Sequence, residues 1–127
     1  MISIYDYVSE VLESIKDCDE RIASFADTVR RANKRRSRIW VLGNGGSLAI
    51  AQHFAQDLVK MCGIRAQAIN CPSMITAYSN DECFEMAFYK PIMVLSDPKD
   101  IIFIFSCSGK SRNYIEFVSS FGNRFYI

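Results

Sequence analysis

The sequence predicts an α/β domain in which a parallel β-sheet lies between helices on both of its faces, a three-layer αβα sandwich. Three observations carry this reading. Ile39-Trp40-Val41-Leu42 and Ile101-Ile102-Phe103-Ile104-Phe105 are continuous apolar runs. Their continuity fits strands buried on both faces, as in a parallel sheet, better than strands with one wet face. Segments of helical periodicity separate the runs, so strand and helix alternate as in βαβ units. Both runs also end in short loops of Gly, Ser and Asn, the composition of a tight strand-to-helix turn.

In order along the chain, residues 3–33 read as one long helix. Ile4, Val8, Val11, Leu12, Ile15, Ile22, Phe25 and Val29 recur at spacings of three, four and seven and line one face. Ser3 is placed to cap its start. Its end is basic, with Arg30, Arg31, Lys34, Arg35, Arg36 and Arg38 close together. Positive charge at a helix C-terminus complements the dipole; a nucleic-acid patch is the other reading, without the interleaved aromatics such patches carry. The first strand is 39–42, followed by Gly43-Asn44-Gly45-Gly46-Ser47 and a helix over 48–62 that Gly63 stops. Residues 66–70 form a weaker second strand. Residues 73–90 are helical with a polar break at Ser79-Asn80-Asp81, and Pro91–Leu95 begins a further turn or helix. After the turn cluster 96–100 comes the third strand, 101–105, then the loop Ser106-Cys107-Ser108-Gly109-Lys110-Ser111. A helix over 113–121 ends at Gly122-Asn123, and Arg124–Ile127 begins a fourth strand.

A chain of 127 residues reads as a single domain, large enough to bury about two-thirds of its unfolded surface. Residues 1–36 form its helical N-terminal segment and 37–127 its core. Hydrophobic residues at 50% and charged residues at 23% are ordinary for a globular protein and argue against disorder. Fifteen basic against fourteen acidic residues leaves +1, no global attraction to nucleic acid or an anionic membrane. No apolar run approaches the ~18 residues of a membrane span. The start, MISIYDYVSEVLES, is acidic and amphipathic, unlike a secretory leader. Five cysteines is an odd number, with no CxxC pair, so reduced thiols in the cytoplasm fit better than a disulfide framework.

Each Gly/Ser loop joins a strand to a helix N-terminus, where free N–H groups and the helix dipole favour an anion. Glycine lets the backbone approach a ligand closely. Ser106, Ser108 and Ser111 add hydroxyl donors able to surround the terminal oxygens of a phosphate monoester. In a parallel sheet, ligands bind beyond the carboxyl ends of the strands where strand order reverses. Neighbouring first and third strands would bring both loops to one cleft. Neither loop is a dinucleotide fingerprint or a GxxxxGK[ST] phosphate loop, so phosphate on a small molecule is the better inference; the plain alternative is two tight turns of small residues. His53 and Asp57, at i and i+4, share one helix face beside Gln52 and Gln56. They would share a metal, or the carboxylate would move a proton, or the pair is simply a surface or core hydrogen bond. Asn80 and Asp81 are candidates for holding sugar hydroxyls, or a helix cap.

VLGNGGSLAIAQHFAQDL, ITAYSNDECFEMAF and IFIFSCSGKSRNYIEF resemble the successive signatures of the sugar isomerase (SIS) domain, nearest within it to phosphoheptose isomerases. GNGGS…AQHFA is specific to that subfamily; the SxSGxS loop is shared by phosphosugar-binding SIS domains generally. The resemblance implies a flavodoxin-like fold and aldose–ketose isomerisation of sedoheptulose 7-phosphate for lipopolysaccharide or capsule precursors. It implies that Asn44, Gly45, Gly46, Ser47, Asn80 and Asp81 contact the sugar. Ser106, Cys107, Ser108 and Ser111 would hold the phosphate. His53 would be a zinc ligand, and Asp57 a ligand, a substrate contact and the proton-transfer base. Family members are usually homotetramers that use their N-terminal helices in assembly.

The sequence departs from the family in two places. Asp57 stands where the family has glutamate, drawing the carboxylate back by one methylene; displacing a catalytic group by ~1 Å costs on the order of a hundredfold. Members also continue to a later helix that brings a second histidine and a glutamine, which this sequence does not reach, so its zinc site is expected to be incomplete. A natural truncation or a split gene is therefore expected, with association through the exposed fourth strand and the N-terminal helix. The alternatives to the isomerase are a non-catalytic or degenerate phosphosugar-binding module, and a homologue that binds the bacterial replication initiator through protein contacts.

Overall fold

The apolar runs become the strands of one parallel sheet: β1 (Ile39–Gly43), β2 (Ala66–Ala68) and β3 (Ile101–Phe105), in the order β2-β1-β3. The computed structural model describes residues 2–16 and 18–121. All five residues of central β1 are buried, which is why the run carries no charge. Its register sets Ile39 beside both Ala66 and Ile101, and Gly43 beside Phe105. β2 is shorter than the expected 66–70, because pairing ends after Ala68 and Pro72 already opens a helix.

Alternation along β1 and β3 sends side chains to opposite faces. Trp40, Leu42 and Ile102 pack with Phe88, Ile92, Tyr114, Phe117 and Phe121 in one buried cluster, which Ile104 joins from its edge. Those aromatics come from α5 (Met86–Leu95) and α6 (Arg112–Phe121). On the other face, Phe54 of α3 (Gly46–Lys60) meets Phe103 and Phe105, with ring centroids 5.5 Å apart in each pair. The sheet is thus covered on both faces, as the continuous apolar strands require. Gly63, with φ of 65°, stops the chain after α3, and the N–H groups of Gly63 and Ile64 bond back to the carbonyls of Val59 and Leu58.

Beneath the sheet, at the end where β1 and β3 begin, sits a buried carboxylate. Asp100 is only 4% exposed. It accepts three bonds: Arg38 N–H at 2.8 Å, Trp40 Nε1–H at 3.0 Å and Asp97 N–H at 3.0 Å. The Arg38 guanidinium lies 4.8 Å from the centroid of the Trp40 ring. Arg65 donates to the Arg36 carbonyl and Arg30 pairs with Asp27, so several members of the basic stretch have local structural partners.

Two helical expectations need correction. The N-terminal helix is two helices, α1 (Ile4–Ile15) and α2 (Asp19–Lys34). The sequence between them, around Asp17-Cys18-Asp19, consists of residues with low helix propensity. Cys18 N–H bonds only three residues back, to Ile15, while its carbonyl starts the next helix by accepting from Ile22 N–H. Ser3 caps α1 as expected, its Oγ accepting from Asp6 N–H at 3.0 Å. The second correction concerns 73–95. Helix α4 (Pro72–Asp81) includes Asn80 and Asp81 in its last turn, and the break falls at Glu82–Glu85. Pro91 lies inside α5 rather than opening a new element. An interior proline costs about 3 kcal/mol, but burying Phe88 and Ile92 beside it returns about 1.5–3 kcal/mol each.

The described residues fall into two compact units that divide between Arg31 and Ala32; the sheet and both loops belong to the second. The expected fourth strand, Arg124–Ile127, and the helix stop at Gly122-Asn123 lie outside the described residues.

Candidate functional site

The first loop is shaped by the close approach of β1 to α3. A Cβ on Gly43 would fall 2.3 Å from the Ser47 carbonyl oxygen, so only glycine lets the strand end there. Gly45 takes the N-cap position of α3 with φ of 52°, a left-handed conformation that side chains disfavour. Ser47 N–H bonds to the Asn44 carbonyl at 2.9 Å and Leu48 N–H to that of Gly45 at 3.0 Å. Among the described residues these turns leave the N–H groups of Gly45 and Gly46 without an acceptor, as at any helix start. A Cβ on Gly45 or Gly46 would meet nothing within 4 Å; the space beside them is open to a ligand.

The second loop folds on its own hydroxyls. Gly109 N–H donates to Ser106 Oγ at 3.1 Å and Lys110 N–H to Ser108 Oγ at 3.2 Å. Each hydroxyl, having accepted from the backbone, keeps its own proton to donate outward. The Ser111 carbonyl starts α6 by accepting from Tyr114 and Ile115 N–H. Because Gly43 and Phe105 are partners in the sheet, the two loops leave adjacent strand ends. They enclose a hollow of about 190 Å³ lined by Asn44 and Ser47 from the first and Ser106, Cys107, Ser108 and Ser111 from the second, with Phe105 and Tyr114.

His53 and Asp57 are one helical turn apart on α3, His53 Nε2 at 3.4 Å from Asp57 Oδ2, with side chains 76% and 49% exposed. They line a neighbouring, mostly apolar hollow of about 480 Å³ with Ala49, Ile50, Phe54 and Phe105. Phe105 is common to both hollows, so the two adjoin. Asn80 and Asp81 line neither; at the end of α4 they bond to each other, Asn80 Nδ2 donating to Asp81 Oδ1 at 2.9 Å. A zinc centre takes three or four protein ligands. The described residues contain no group of three His, Cys, Asp or Glu placed to hold a metal. His53 and Asp57 are two donors, so these residues alone do not make up a zinc centre.

Two residues at this cleft escape the sequence reading. Asn113 is 3% exposed and pairs with Asn44 through two reciprocal amide hydrogen bonds of 3.1 Å. Tyr114 lines the serine hollow while its hydroxyl has no hydrogen-bond partner in the described chain; burial pushes its pKa above the ordinary phenol range, so it stays neutral. The one available signal is position, directly after a serine loop at the start of a helix.

A SIS-domain family model matches residues 4–124. Phosphoheptose isomerase of Geobacter metallireducens is 38% identical over 111 residues, 82% of this chain and 59% of that protein. A probable phosphoheptose isomerase of Thermoplasma acidophilum is 35% identical over 80% of this chain and 59% of its own length. The solved phosphoheptose isomerase GmhA of Neisseria gonorrhoeae superposes with a TM-score of 0.84 at 32% identity, covering 92% of this chain and 64% of that one. A phosphoheptose isomerase from Francisella tularensis gives 0.75 at 26% identity, with 94% and 70% covered. The chain therefore spans about three-fifths of the length of these sequence relatives. A parallel sheet in the order β2-β1-β3, two Gly/Ser turns at its switch point and a match over nearly the whole chain lead to one conclusion: the chain belongs to the SIS domain family.

Proposed function

We propose that this chain binds a phosphorylated sugar of the sedoheptulose 7-phosphate class, as the phosphoheptose isomerases it resembles are named for doing. The observation that carries the reading is the hollow between the two loops, lined by the hydroxyls of Ser47, Ser106, Ser108 and Ser111, with the free N–H groups of Gly45 and Gly46 in the same turn as its Asn44 and Ser47. Donors of this kind suit the terminal oxygens of a phosphate monoester and need no cation. With the phosphate there, the sugar would extend past Phe105 toward His53 and Asp57. Aldose–ketose isomerisation moves a proton between neighbouring carbons through an enediolate. Asp57 would act as the base, and phosphate binding energy would position the reacting carbons. Asn80 and Asp81 would have to reach the sugar from outside the two hollows, and zinc would need a further donor beyond His53 and Asp57.

Calorimetric titration tests the cradle. Sedoheptulose 7-phosphate is expected to bind wild type at least about tenfold more tightly than the Ser108→Ala/Ser111→Ala variant, since each lost bond to a charged group costs about 1.5–3 kcal/mol. Equal affinity in the two proteins would remove the serine cradle from consideration. Appearance of the aldose product separates an isomerase from a binding module.

The chain would act as a homo-oligomer, by resemblance a tetramer, in the cytoplasm. All five cysteines are free and four are exposed, which suits a reducing compartment. No helix among the described residues is long and apolar enough to cross a membrane. On α1 no residue is buried, and Val8, Val11, Leu12 and Ile15 are 48%, 41%, 55% and 52% exposed along one face; an apolar stripe of this kind favours association. Light scattering at micromolar concentration is expected to give a multiple of the monomer mass, falling towards the monomer in Val8→Lys/Leu12→Lys. A wild-type monomer would count against assembly.

A further inference from the structure

We infer that Asn113 is a positioning residue: its side-chain amide clamps that of Asn44, so that the first loop meets a ligand through the main-chain N–H groups of Gly45 and Gly46. This rests on the phosphosugar reading of the cleft for its ligand, and on geometry alone for the clamp.

Asn44 Nδ2 donates to Asn113 Oδ1 and Asn113 Nδ2 donates to Asn44 Oδ1, both at 3.1 Å. The pair joins residues 69 positions apart, one in the turn after β1 and one in the first turn of α6. Each amide spends one donor and the carbonyl oxygen on its partner. Asn113 is 3% exposed, a buried polar side chain that requires such a partner, and the half-buried Asn44 supplies it. Only an amide offers a donor and an acceptor side by side; a carboxylate at either position would set oxygen against oxygen. The same Asn44 uses its carbonyl to accept from Ser47 N–H at 2.9 Å, fixing the turn that leaves Gly45 and Gly46 N–H free. Their carbonyl side is tied to α3, since Gly45 O accepts from Leu48 N–H at 3.0 Å and Gly46 opens the helix, but neither has a side chain to fix it and a Cβ at either would touch nothing. A loop of this composition is mobile unless pinned, and preordered donors bind a ligand at lower entropic cost. The clamp also ties the first loop to the helix that begins directly after Ser111, so the two halves of the cleft keep one spacing.

Backbone ¹⁵N relaxation and calorimetry with sedoheptulose 7-phosphate test this together. In wild type, Gly45 and Gly46 are expected to show order parameters near the rigid value of about 0.85, falling below about 0.6 in Asn113→Ala. Asn44→Ala, at a half-buried loop position, tests the same point should Asn113→Ala not fold, and is expected to loosen the same two residues. Affinity should fall about tenfold in Asn113→Ala, because both reciprocal bonds that order the loop are lost. Adding Asn113→Ala to Asn44→Ala should cost less than about a further twofold, because the second residue acts through the first. Unchanged order at Gly45 and Gly46 in Asn44→Ala or in folded Asn113→Ala overturns the clamp, as does a full tenfold loss from Asn113→Ala in the Asn44→Ala background. If wild type binds no sugar phosphate, the functional reading fails, while the order parameters still decide the clamp.

Discussion

Asp100→Ala is expected to destabilise the domain by about 3–5 kcal/mol, because it removes three hydrogen bonds to one carboxylate and leaves their N–H donors without that acceptor, read as a large drop in the urea midpoint. The carboxylate joins three segments at once. It accepts from the backbone of Arg38 at the entry to β1, from the indole of Trp40 within β1, and from Asp97 in the turn before β3. Removing it leaves Trp40 Nε1–H, on a side chain 1% exposed, without its acceptor. It also unpins the strands at the end opposite the cleft. Asp100→Asn keeps the shape but points an amide NH₂ at one set of donors, so it should lose a substantial part of the same stability. Asp97→Ala is the control: its side chain is exposed, and its carbonyl bond from Asp100 N–H survives the change, so a shift within about 0.5 kcal/mol is expected. Because Asp100 is remote from the cleft, folded Asp100→Asn should bind sedoheptulose 7-phosphate with wild-type affinity. Equal urea midpoints for wild type and Asp100→Ala would show that the three bonds contribute nothing net.

Gly43→Ala is expected to damage stability and ligand binding together. The added methyl would lie 2.3 Å from Ser47 O, 2.4 Å from Ser47 C and 2.6 Å from Leu48 N, all backbone atoms in the first turn of α3. No rotamer relieves such a clash; the helix start has to move. Overpacking of this kind typically costs about 1–3 kcal/mol. A shift of ~1 Å at the loop would misplace the Gly45 and Gly46 donors, and misplacement on that scale costs on the order of a hundredfold at a site that depends on geometry. Gly46→Ala makes the comparison, because its Cβ enters open space and its φ is not in the left-handed region. That variant should be as stable as wild type or slightly more so, through better helix propensity. Gly43→Ala with an unchanged urea midpoint would mean that the strand end and the helix start are not in fixed contact.

The local character of most elements could be read from the residues in order. Runs such as Ile101–Phe105 have no polar position to expose, so they become strands covered on both faces, and β3 has the bounds expected of it. Gly63 stops α3 because the left-handed turn there needs no side chain. Periodicity was less informative where two helices share a pattern. The stripe from Ile4 to Val29 continues in phase from α1 to α2 past a sequence of weak helix formers, and apolar spacing does not register where one helix ends and the next begins. Pro91 misled in the opposite direction: its local cost is visible in the sequence, but the burial of Phe88 and Ile92 that outweighs it is not.

The sequence by itself determined the parallel α/β architecture, the two Gly/Ser turns and the family, because each depends on residue types within a few positions of one another. Tertiary structure alone decided that the turns share a hollow, that Asn44 is held by Asn113, and that Asp100 anchors Trp40. These contacts join residues 69 and 60 positions apart, and their partners are chosen by strand order and register, which no local pattern records.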